Sequence, residues 1–336
     1  MDVRSAFRRR IVSVPTVVLL AFVLWGLAPL WFAIVGVVDV FRWLFGRRPF
    51  VGIRLLAMGL VYSAAELIGV AACGASWVRC RWSGDDGCVE ADAFAIQLWW
   101  AEFLFQSMSA LLGLNYRVEG TDAVAEGPFI LLSRHVSIID TLLPTHFVAR
   151  PHHRHIRYVL KDELLVDPAL DIAGNRLPNV FVQRGSGSSD AEAERIRALA
   201  ASMPDDEAVL IFPEGTRFTE AKRDRFVASL AERDPALHAR AAEWRHVLPP
   251  KQAGTLALLD GSDADVVVLA HRGLEGLALL ADIWAGEPVG RTVDIQFRRI
   301  PRAAVPDSES ERTAWLADTW EALDHWVGGS GTIGAD

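Results

Sequence analysis

Two long apolar runs in the first eighty residues constrain the fold most. Between Ile11 and Phe41 the only charged side chain is Asp39, and between Leu55 and Val78 only Glu66 interrupts the apolar sequence. Each run has the length that a membrane-spanning helix needs. A third apolar segment, residues 93–114, contains an acidic residue and a pair of tryptophans, which is typical of a helix that lies at the membrane interface or returns across the bilayer. We therefore predict an N-terminal membrane region over residues 1–114, with helices at about 11–41, 55–78 and 93–114.

The first run is too long for one untilted helix and too short for two full spans. Pro29 lies near its middle and indicates either a kinked helix or a re-entrant hairpin. Basic residues flank the run on both sides, and the positive-inside rule then places both flanks in the cytoplasm and favours the hairpin. These residues are Arg4, Arg8, Arg9 and Arg10 before the run and Arg42, Arg47, Arg48 and Arg54 after it.

The second run would then cross outward and the third would return, so that the loop between them faces the far side. Cys80 and Cys88 lie in this loop and would form a disulfide in an oxidising compartment; free thiols are the alternative. If the third segment lies at the interface, the loop stays cytoplasmic and the second run is re-entrant as well. The rest of the chain is cytoplasmic in both cases, and we expect a multi-pass or re-entrant membrane protein.

After residue 115 the composition is that of a globular domain. Short apolar runs typical of strands alternate with segments that have helical periodicity, which predicts an α/β fold with a mixed sheet flanked by helices. We assign residues 115–327 to this domain and residues 328–336 to a flexible tail. The net charge of −8 argues against a nucleic-acid partner. The strands are expected at residues 116–119, 129–133, 157–160, 180–183, 208–212, 265–271 and 293–298.

The segment from His135 to Asp140 directly follows a predicted strand, where functional residues of α/β folds gather. An imidazole near its ordinary pKa can accept the proton of a hydroxyl group at neutral pH. A carboxylate five residues later can reach back and orient that imidazole. The alternative is an ordinary helix start, with Ser137 as the N-cap and Asp140 at the third position.

A second polar segment, Glu214-Gly215-Thr216-Arg217, follows another strand-like run. Its polar and cationic groups suit an anionic ligand, because a guanidinium binds phosphate through two parallel hydrogen bonds. A polar turn after the strand is the alternative, since Pro-Glu-Gly-Thr is good turn sequence. Lys161 and Lys222 are further candidate cations, although Lys161 has Glu163 close by as a salt-bridge partner.

Together these motifs resemble the lysophospholipid acyltransferase family, the relatives of 1-acylglycerol-3-phosphate acyltransferase, over about residues 116–276. The first block of the family is similar to residues 133–140, and by this likeness His135 and Asp140 are catalytic. The second block resembles residues 174–184, where Arg184 matches the acceptor-site arginine. The third block matches residues 212–217, which implies that Glu214 and Arg217 help to hold the glycerol phosphate.

Phe218-Thr219, Lys222 and residues 246–251 are similar to the branch that contains the lysocardiolipin acyltransferases and related lysophosphatidate enzymes. In the fourth block the family has a proline within an apolar strand, whereas Val266-Val267-Val268-Leu269 has none and Pro249-Pro250 come earlier.

The resemblance implies a membrane-bound enzyme that transfers a fatty acyl group to the free hydroxyl of a lysophospholipid. The expected acceptor is 1-acylglycerol 3-phosphate, giving phosphatidic acid; a lysocardiolipin-like acceptor and a non-catalytic lipid-binding or remodelling protein are the alternatives. The co-substrate is acyl-CoA or acyl carrier protein, and we expect no other cofactor and no metal. The partners are then the lipid bilayer, the lysophospholipid and the acyl donor. A chain rich in Arg and Ala and poor in Lys suggests a bacterial inner or plasma membrane.

Overall fold

The chain forms two compact units in a computed structural model that describes residues 3–85, 87–183, 190–201 and 203–329, with side chains from residue 5 onward. The helical unit comprises Met1–Asn115, Leu160–Arg184 and Leu280–Arg291, and the sheet unit comprises Tyr116–Val159, Gly185–Leu279 and Thr292–Asp336. The helical unit therefore includes two segments, residues 160–184 and 280–291, that come after residue 115 in the chain. Of the predicted tail, residues 330–336 lie outside the described part of the chain.

The helical unit contains four long helices and two short later ones. Three of the long helices, α1 from Ser5 onward, α2 and α3, are long and apolar enough to cross a membrane. The helices are α1 (Val3–Gly26), α2 (Ala28–Gly46), α3 (Val51–Ser83), α4 (Cys88–Leu112), α6 (Pro168–Gly174) and α11 (Leu280–Ala285), and the strand β4 (Val180–Val182) also belongs to this unit.

Helices α1 and α2 are separated by one residue, Leu27, so the first apolar run is a kinked helix. Helical hydrogen bonds from Leu27 N to Val23 O (3.1 Å) and from Trp31 N to Leu27 O (3.0 Å) continue across the break. A hairpin needs a turn that reverses the chain, and a single residue with helical bonding on both sides does not provide one. The hairpin prediction is therefore wrong. Pro29 lies in the first turn of α2, where the absence of an N–H costs no helical hydrogen bond.

The kinked helix runs antiparallel to α3. Near the kink, the Nε1–H of Trp25 donates to Ser63 Oγ at 3.2 Å. At the end of α2, both carboxylate oxygens of the buried Asp39 accept the first N–H groups of α3, from Gly52 (3.1 Å) and Ile53 (2.9 Å). The single charge within the first apolar run therefore caps the next helix.

The cysteines in the loop after α3 are bonded to each other. Cys80 and Cys88 form a disulfide that joins the end of α3 to the start of α4, and Cys73 is a buried free thiol.

The sheet unit is built on strands whose apolar runs are fully buried. The strands are β1 (Asn115–Glu119), β2 (Phe129–Ser133), β3 (His155–Lys161), β5 (Glu207–Ile211), β6 (Asp265–Arg272) and β7 (Thr292–Ile300), in the spatial order β1-β7-β6-β2-β5-β3. Every residue of β2 and β5 is buried. The neighbours β2, β5, β3 and β6 are parallel, and β7 is antiparallel to β6. The sheet is therefore mixed, as predicted, and all of the predicted strands are present.

The helices of the sheet unit are α5 (Arg150–His152), α7 (Asp190–Ala200), α8 (Glu220–Arg233), α9 (Pro235–Ala241), α10 (Gln252–Gly261) and α12 (Glu309–Val327). The chain between β2 and β3 forms an irregular helix. It consists of a 3₁₀ turn at Ile139–Thr141 and a π-helical segment at Thr145–Ala149, which continues into α5.

Candidate active site

The candidate site lies at the carboxyl ends of β2, β5 and β6, which are adjacent parallel strands. Leu132 of β2 pairs with Ile211 of β5 and with Val268 of β6. The residues that follow these strands must therefore meet at the same edge of the sheet. This arrangement brings together the two motifs predicted from the sequence, with the His135 and Phe212 rings 4.4 Å apart.

His135 and Asp140 are in direct contact. Nδ1 of His135 lies 3.2 Å from Oδ2 of Asp140. Among the described residues no hydrogen-bond partner contacts the other ring nitrogen, Nε2, and the side chain is 15% exposed. An imidazole held in this way by a carboxylate has one nitrogen fixed and one nitrogen open to a substrate.

Asp140 is completely buried and is held by more than the imidazole. Its oxygens accept hydrogen bonds from the backbone N–H groups of Val136 and Ser137 and from the Ser137 hydroxyl. Burial would raise the pKa of Asp140, but the hydrogen bond and charge of His135 and the Ser137 hydroxyl together hold that pKa below its usual range. Asp140 is therefore a carboxylate at neutral pH. The helix-start alternative is present at the same time. Ser137 Oγ accepts the backbone N–H groups of Ile139 (3.2 Å) and Asp140 (3.3 Å), and Asp140 accepts the Ser137 N–H, which is a capping box at the start of the 3₁₀ turn.

A second histidine, which the sequence did not single out, lies on the other side of Asp140. His271 is the penultimate residue of β6 and is fully buried. Its Nε2 lies 3.6 Å from Asp140 Oδ2 and 3.0 Å from the carbonyl oxygen of Arg134. Burial lowers the pKa of His271, so it is neutral at pH 7 and supports Asp140 as a dipole.

Glu214 is part of the structural support of the site. It is fully buried, and its two oxygens accept the backbone N–H groups of His135 and Leu248, both at 2.9 Å. Burial raises the pKa of Glu214 to about 8. Glu214 therefore positions His135 through the backbone, and its predicted contact with the acceptor stays a prediction.

The other residues of the second motif form an exposed loop. Gly215 has φ of +64°, which a glycine adopts without strain, and its N–H donates to Phe212 O at 2.9 Å. This N–H is therefore engaged within the turn. Thr216 is half-buried and Arg217 is exposed, with no partner for its guanidinium among the described residues.

Two lysines lie against this loop. The Nζ of Lys222 donates to Thr216 Oγ1 (3.2 Å) and to Arg217 O (2.8 Å). Lys251 donates its backbone N–H to Pro213 O at 2.8 Å, and its side chain crosses Gly215, where an added Cβ would lie 3.1 Å from its Nζ. The sequence analysis predicts Lys222 as a site residue but not Lys251. The run Pro249-Pro250-Lys251 is the sequence feature that could have indicated Lys251.

The two remaining predicted residues are not placed in this site. Arg184 lies outside the described residues, and Lys161 is the last residue of β3. Both assignments stay predictions.

Comparisons with known proteins agree with this description. Residues 115–251 match the family model described as Acyltransferase. The chain is 26% identical over 211 residues to 1-acyl-sn-glycerol-3-phosphate acyltransferase epsilon of Mus musculus, covering 58% of this chain and 56% of the relative. It is also 26% identical over 238 residues to the probable 1-acyl-sn-glycerol-3-phosphate acyltransferase 5 of Arabidopsis thaliana, covering 68% of this chain and 59% of the relative. The chain thus spans less than two thirds of the length of these two relatives.

A bacterial relative and a solved structure extend the comparison. The 1-acyl-sn-glycerol-3-phosphate acyltransferase of Pseudomonas aeruginosa is 26% identical over 207 residues, covering 59% of this chain and 78% of the relative. The crystal structure of the 1-acyl-sn-glycerophosphate (LPA) acyltransferase PlsC from Thermotoga maritima aligns with a TM-score of 0.53 and 18% identity, covering 82% of this chain and 96% of that chain. The structural likeness confirms the predicted fold class.

Proposed function

We propose, from the match of residues 115–251 to the Acyltransferase family model and from the site geometry, that the chain is a membrane-bound O-acyltransferase acting on a lysophospholipid. The relatives named above suggest 1-acylglycerol 3-phosphate as the acceptor and phosphatidic acid as the product. The observation that carries the proposal is the contact between His135 Nδ1 and Asp140 Oδ2 at 3.2 Å, at the ends of parallel strands and with Nε2 open.

His135 acts as the general base. Ionised Asp140 accepts the Nδ1–H of His135, which fixes the tautomer in which Nε2 has a lone pair. The acceptor hydroxyl gives its proton to Nε2 as its oxygen attacks the carbonyl carbon of the acyl thioester. When the tetrahedral intermediate collapses, the carbon–sulfur bond breaks and the imidazolium returns the proton to the departing thiolate. No side chain forms a covalent intermediate in this sequence.

The cationic loop would hold the phosphate of the acceptor. Arg217 is exposed and unpaired among the described side chains, and the side chains of Lys222 and Lys251 lie against the same loop. A permanently charged, planar guanidinium suits bidentate contact with a phosphate dianion, and a neighbouring ammonium adds charge. Arg184 and Lys161 remain proposed contributors. The acyl donor would be acyl-CoA or acyl carrier protein, and the proposed chemistry needs no metal.

Acyl transfer from labelled oleoyl-CoA to a panel of lysophospholipids tests this function. The purified full-length chain should form phosphatidic acid from 1-acylglycerol 3-phosphate. His135→Ala should abolish transfer, while His238→Ala, on α9 away from the motifs, should retain it. Label in a different phospholipid, such as cardiolipin from lysocardiolipin, would keep the chemistry and change the acceptor. If no acceptor is labelled with either oleoyl-CoA or oleoyl-acyl carrier protein, the enzymatic proposal is wrong and a non-catalytic lipid-binding role takes its place.

A further inference from the structure

The last turn of α12, the C-terminal helix of the sheet unit, contains a buried acidic residue that the proposed chemistry does not use. Asp324 is 4% exposed, and its Oδ1 accepts the backbone N–H groups of Arg245 (2.9 Å) and His246 (2.5 Å). A carboxylate near the carboxyl end of a helix is disfavoured by the helix dipole, and burial adds to the cost. The two N–H groups offset these costs. Asp324 therefore holds residues 245–248, which we call the connecting segment, and does not stabilise its own helix.

The connecting segment is bonded to the residue that precedes His135. The carbonyl oxygen of His246 accepts two N–H groups of the Arg134 guanidinium, from Nη2 at 2.8 Å and from Nε at 3.3 Å. Arg134 is fully buried, and its Nη1 donates to His271 O at 2.8 Å and to Glu275 Oε1 at 2.6 Å. A planar guanidinium with partners on three sides has one position available to it. The backbone of Arg134, and with it the start of the loop that carries His135, is therefore fixed by contacts with later parts of the chain.

A second series of contacts leads from the connecting segment to His135 itself. The N–H of Leu248 donates to Oε2 of Glu214 at 2.9 Å, and the other oxygen of this fully buried carboxylate accepts the N–H of His135 at 2.9 Å. The connecting segment thus holds the backbone of His135 in two ways, through the side chain of Arg134 and through the carboxylate of Glu214. A shift of this segment would move both supports at once.

The end of α12 is also attached to β6. Arg272 donates from Nη1 to Trp326 O at 3.2 Å, and its guanidinium carbon lies 5.1 Å from the centroid of the Trp326 ring. Arg272 is the last residue of β6 and directly follows His271. The last turn of α12 is therefore held at the same edge of the sheet as the candidate site, so that Asp324 can act as a fixed support for the connecting segment.

We propose that Asp324 is a positioning residue for acyl transfer, which places His135 through the connecting segment and contacts neither substrate. The proposal rests on the role of His135 as general base that is proposed above. Asp324 lies outside residues 115–251, which match the Acyltransferase family model, so this support comes from an element beyond the matched domain. Without the carboxylate, two N–H groups lose their partner and the connecting segment is free to move. A displacement of about 1 Å in a positioned catalytic group lowers the rate about a hundredfold.

Initial rates of acyl transfer from oleoyl-CoA, measured with the purified full chain, test the proposal. Asp324→Ala should lower kcat about a hundredfold and change KM for both substrates by less than about threefold, because a displaced base affects the transition state and not substrate binding. Lys251 should stay in place, since its own N–H is bonded to Pro213 O. Asp324→Asn should recover most of the loss, because the amide oxygen can accept the same two N–H groups.

Asp318→Ala is the matched control on the same helix. Asp318 is 66% exposed at its side chain and pairs with Arg240, which keeps Glu321 as a second partner. This variant should have the kcat and KM of the wild type. An unchanged kcat in Asp324→Ala, or a loss in Asp324→Asn as large as that in Asp324→Ala, would overturn the proposal. If Asp324→Ala does not fold, as judged by thermal unfolding, Asp324→Ser takes its place with the same expected result.

Amide hydrogen exchange, measured by mass spectrometry, gives a second test that requires no catalysis. In Asp324→Ala, exchange should become faster in peptides that cover residues 134–140 as well as in those that cover the connecting segment, and it should stay unchanged in β3. Faster exchange that is confined to α12 and the connecting segment would show that Asp324 does not reach His135, and the proposal would be wrong. Because exchange is measured without substrate, it tests the placement of His135 even if the wild type transfers no acyl group, which would contradict only the proposed function.

Discussion

At the scale of single residues, the candidate site depends on a buried carboxylate that stays ionised. Asp140 receives two backbone N–H groups, one hydroxyl and one imidazole, and these groups outweigh the cost of burying its charge. Its carboxylate therefore accepts the Nδ1–H of His135 and leaves Nε2 open to a substrate. The same environment makes Asp140 sensitive to substitutions that keep its shape but change its hydrogen bonding.

We expect Asp140→Asn to lower kcat about a thousandfold or more, because an amide that donates to Nδ1 selects the wrong tautomer and no longer stabilises the imidazolium. Initial rates of acyl transfer measure the effect. Ser137→Ala is the matched control, since it removes one hydrogen bond to Asp140 and leaves the others, and it should cost less than about tenfold. If kcat falls equally in the two variants, or if Asp140→Asn leaves kcat unchanged, Asp140 does not orient His135. The thermal unfolding temperature of each variant shows whether the fold is retained.

Glu214 should make stability depend on pH, because its pKa is about 8 in the folded chain and near 4.3 when unfolded. Between these values the folded state holds a proton that the unfolded state has lost, so stability falls as pH rises from about 5 to 8. Glu214→Gln removes this titration. The unfolding temperature of the wild type relative to that of the variant should therefore decrease over this range.

Glu275→Gln is the control for the pH experiment. Burial would raise the pKa of Glu275, but the charge and hydrogen bond of Arg134 lower it overall, so its stabilising effect is lost only below about pH 4.5. The difference between wild type and this variant should stay constant from pH 5 to 8. A constant difference for Glu214→Gln as well would show that Glu214 does not titrate there.

Lys251 should contribute to acceptor binding rather than to proton transfer. We expect Lys251→Met to raise KM for the phosphorylated acceptor about tenfold or more with a smaller change in kcat, because one cation near the phosphate is lost. Lys251→Arg should retain most of the affinity. Arg225→Met, which removes an exposed cation of α8, is the control and should leave KM unchanged. A fall in kcat alone would place Lys251 outside the phosphate site.

At the scale of secondary-structure elements, the crossing of α2 and α3 depends on a glycine. An added Cβ at Gly52 would lie 2.5 Å from Cγ1 of Val35 and 3.1 Å from Asp39 Oδ1, and a β-branched side chain in a helix has little freedom to move away. The close approach of the two helices therefore depends on the missing side chain.

Gly52→Ala should lower the unfolding temperature in detergent, because overpacking of this kind costs about 1–3 kcal/mol. Gly74 lies on the same helix with no atom within 4 Å of an added Cβ. Gly74→Ala should leave the temperature unchanged or raise it, since alanine is the better helix former. If Gly52→Ala is as stable as Gly74→Ala, the helices do not pack as closely as described.

The elements that the sequence predicts well are those whose pattern reflects burial. Strands β2 and β5 are continuous apolar runs because both faces are covered, and their adjacency placed His135 near Phe212 as the motifs suggested. The flanking basic residues favour a hairpin where the structure has a kinked helix, because such charges indicate which side of the membrane a segment faces and not how its backbone bends. The sequence does not predict the roles of His271 and Lys251, because each depends on a contact with a residue far away in the chain. His271 contacts Asp140, about 130 positions earlier, and Lys251 contacts Gly215, about 40 positions earlier.

At the scale of the whole molecule, the two later segments of the helical unit could not be assigned from sequence, because contacts with residues far away in the chain hold them, and ion pairs hold the first of them. Asp171 of α6 is fully buried and is paired with Arg9 (2.9 Å) and Arg10 (3.1 Å), some 160 positions earlier in the chain. A buried carboxylate needs such partners, since an unpaired charge in an apolar environment is strongly unfavourable.

The first helix is therefore expected to stabilise α6, which follows it by about 160 residues in the chain. Replacing both Arg9 and Arg10 by Met should destabilise the chain by about 2 kcal/mol or more, because Asp171 would remain buried without a cationic partner. Adding Asp171→Asn to this variant should recover much of the loss, since the unpaired charge is then removed while Asn175 can still hydrogen-bond at this position. Arg8 is exposed, and Arg8→Met serves as the control. Thermal unfolding in detergent measures all four chains. If the double variant unfolds at the wild-type temperature, or if Asp171→Asn restores nothing, the ion pairs do not hold the first helix to α6.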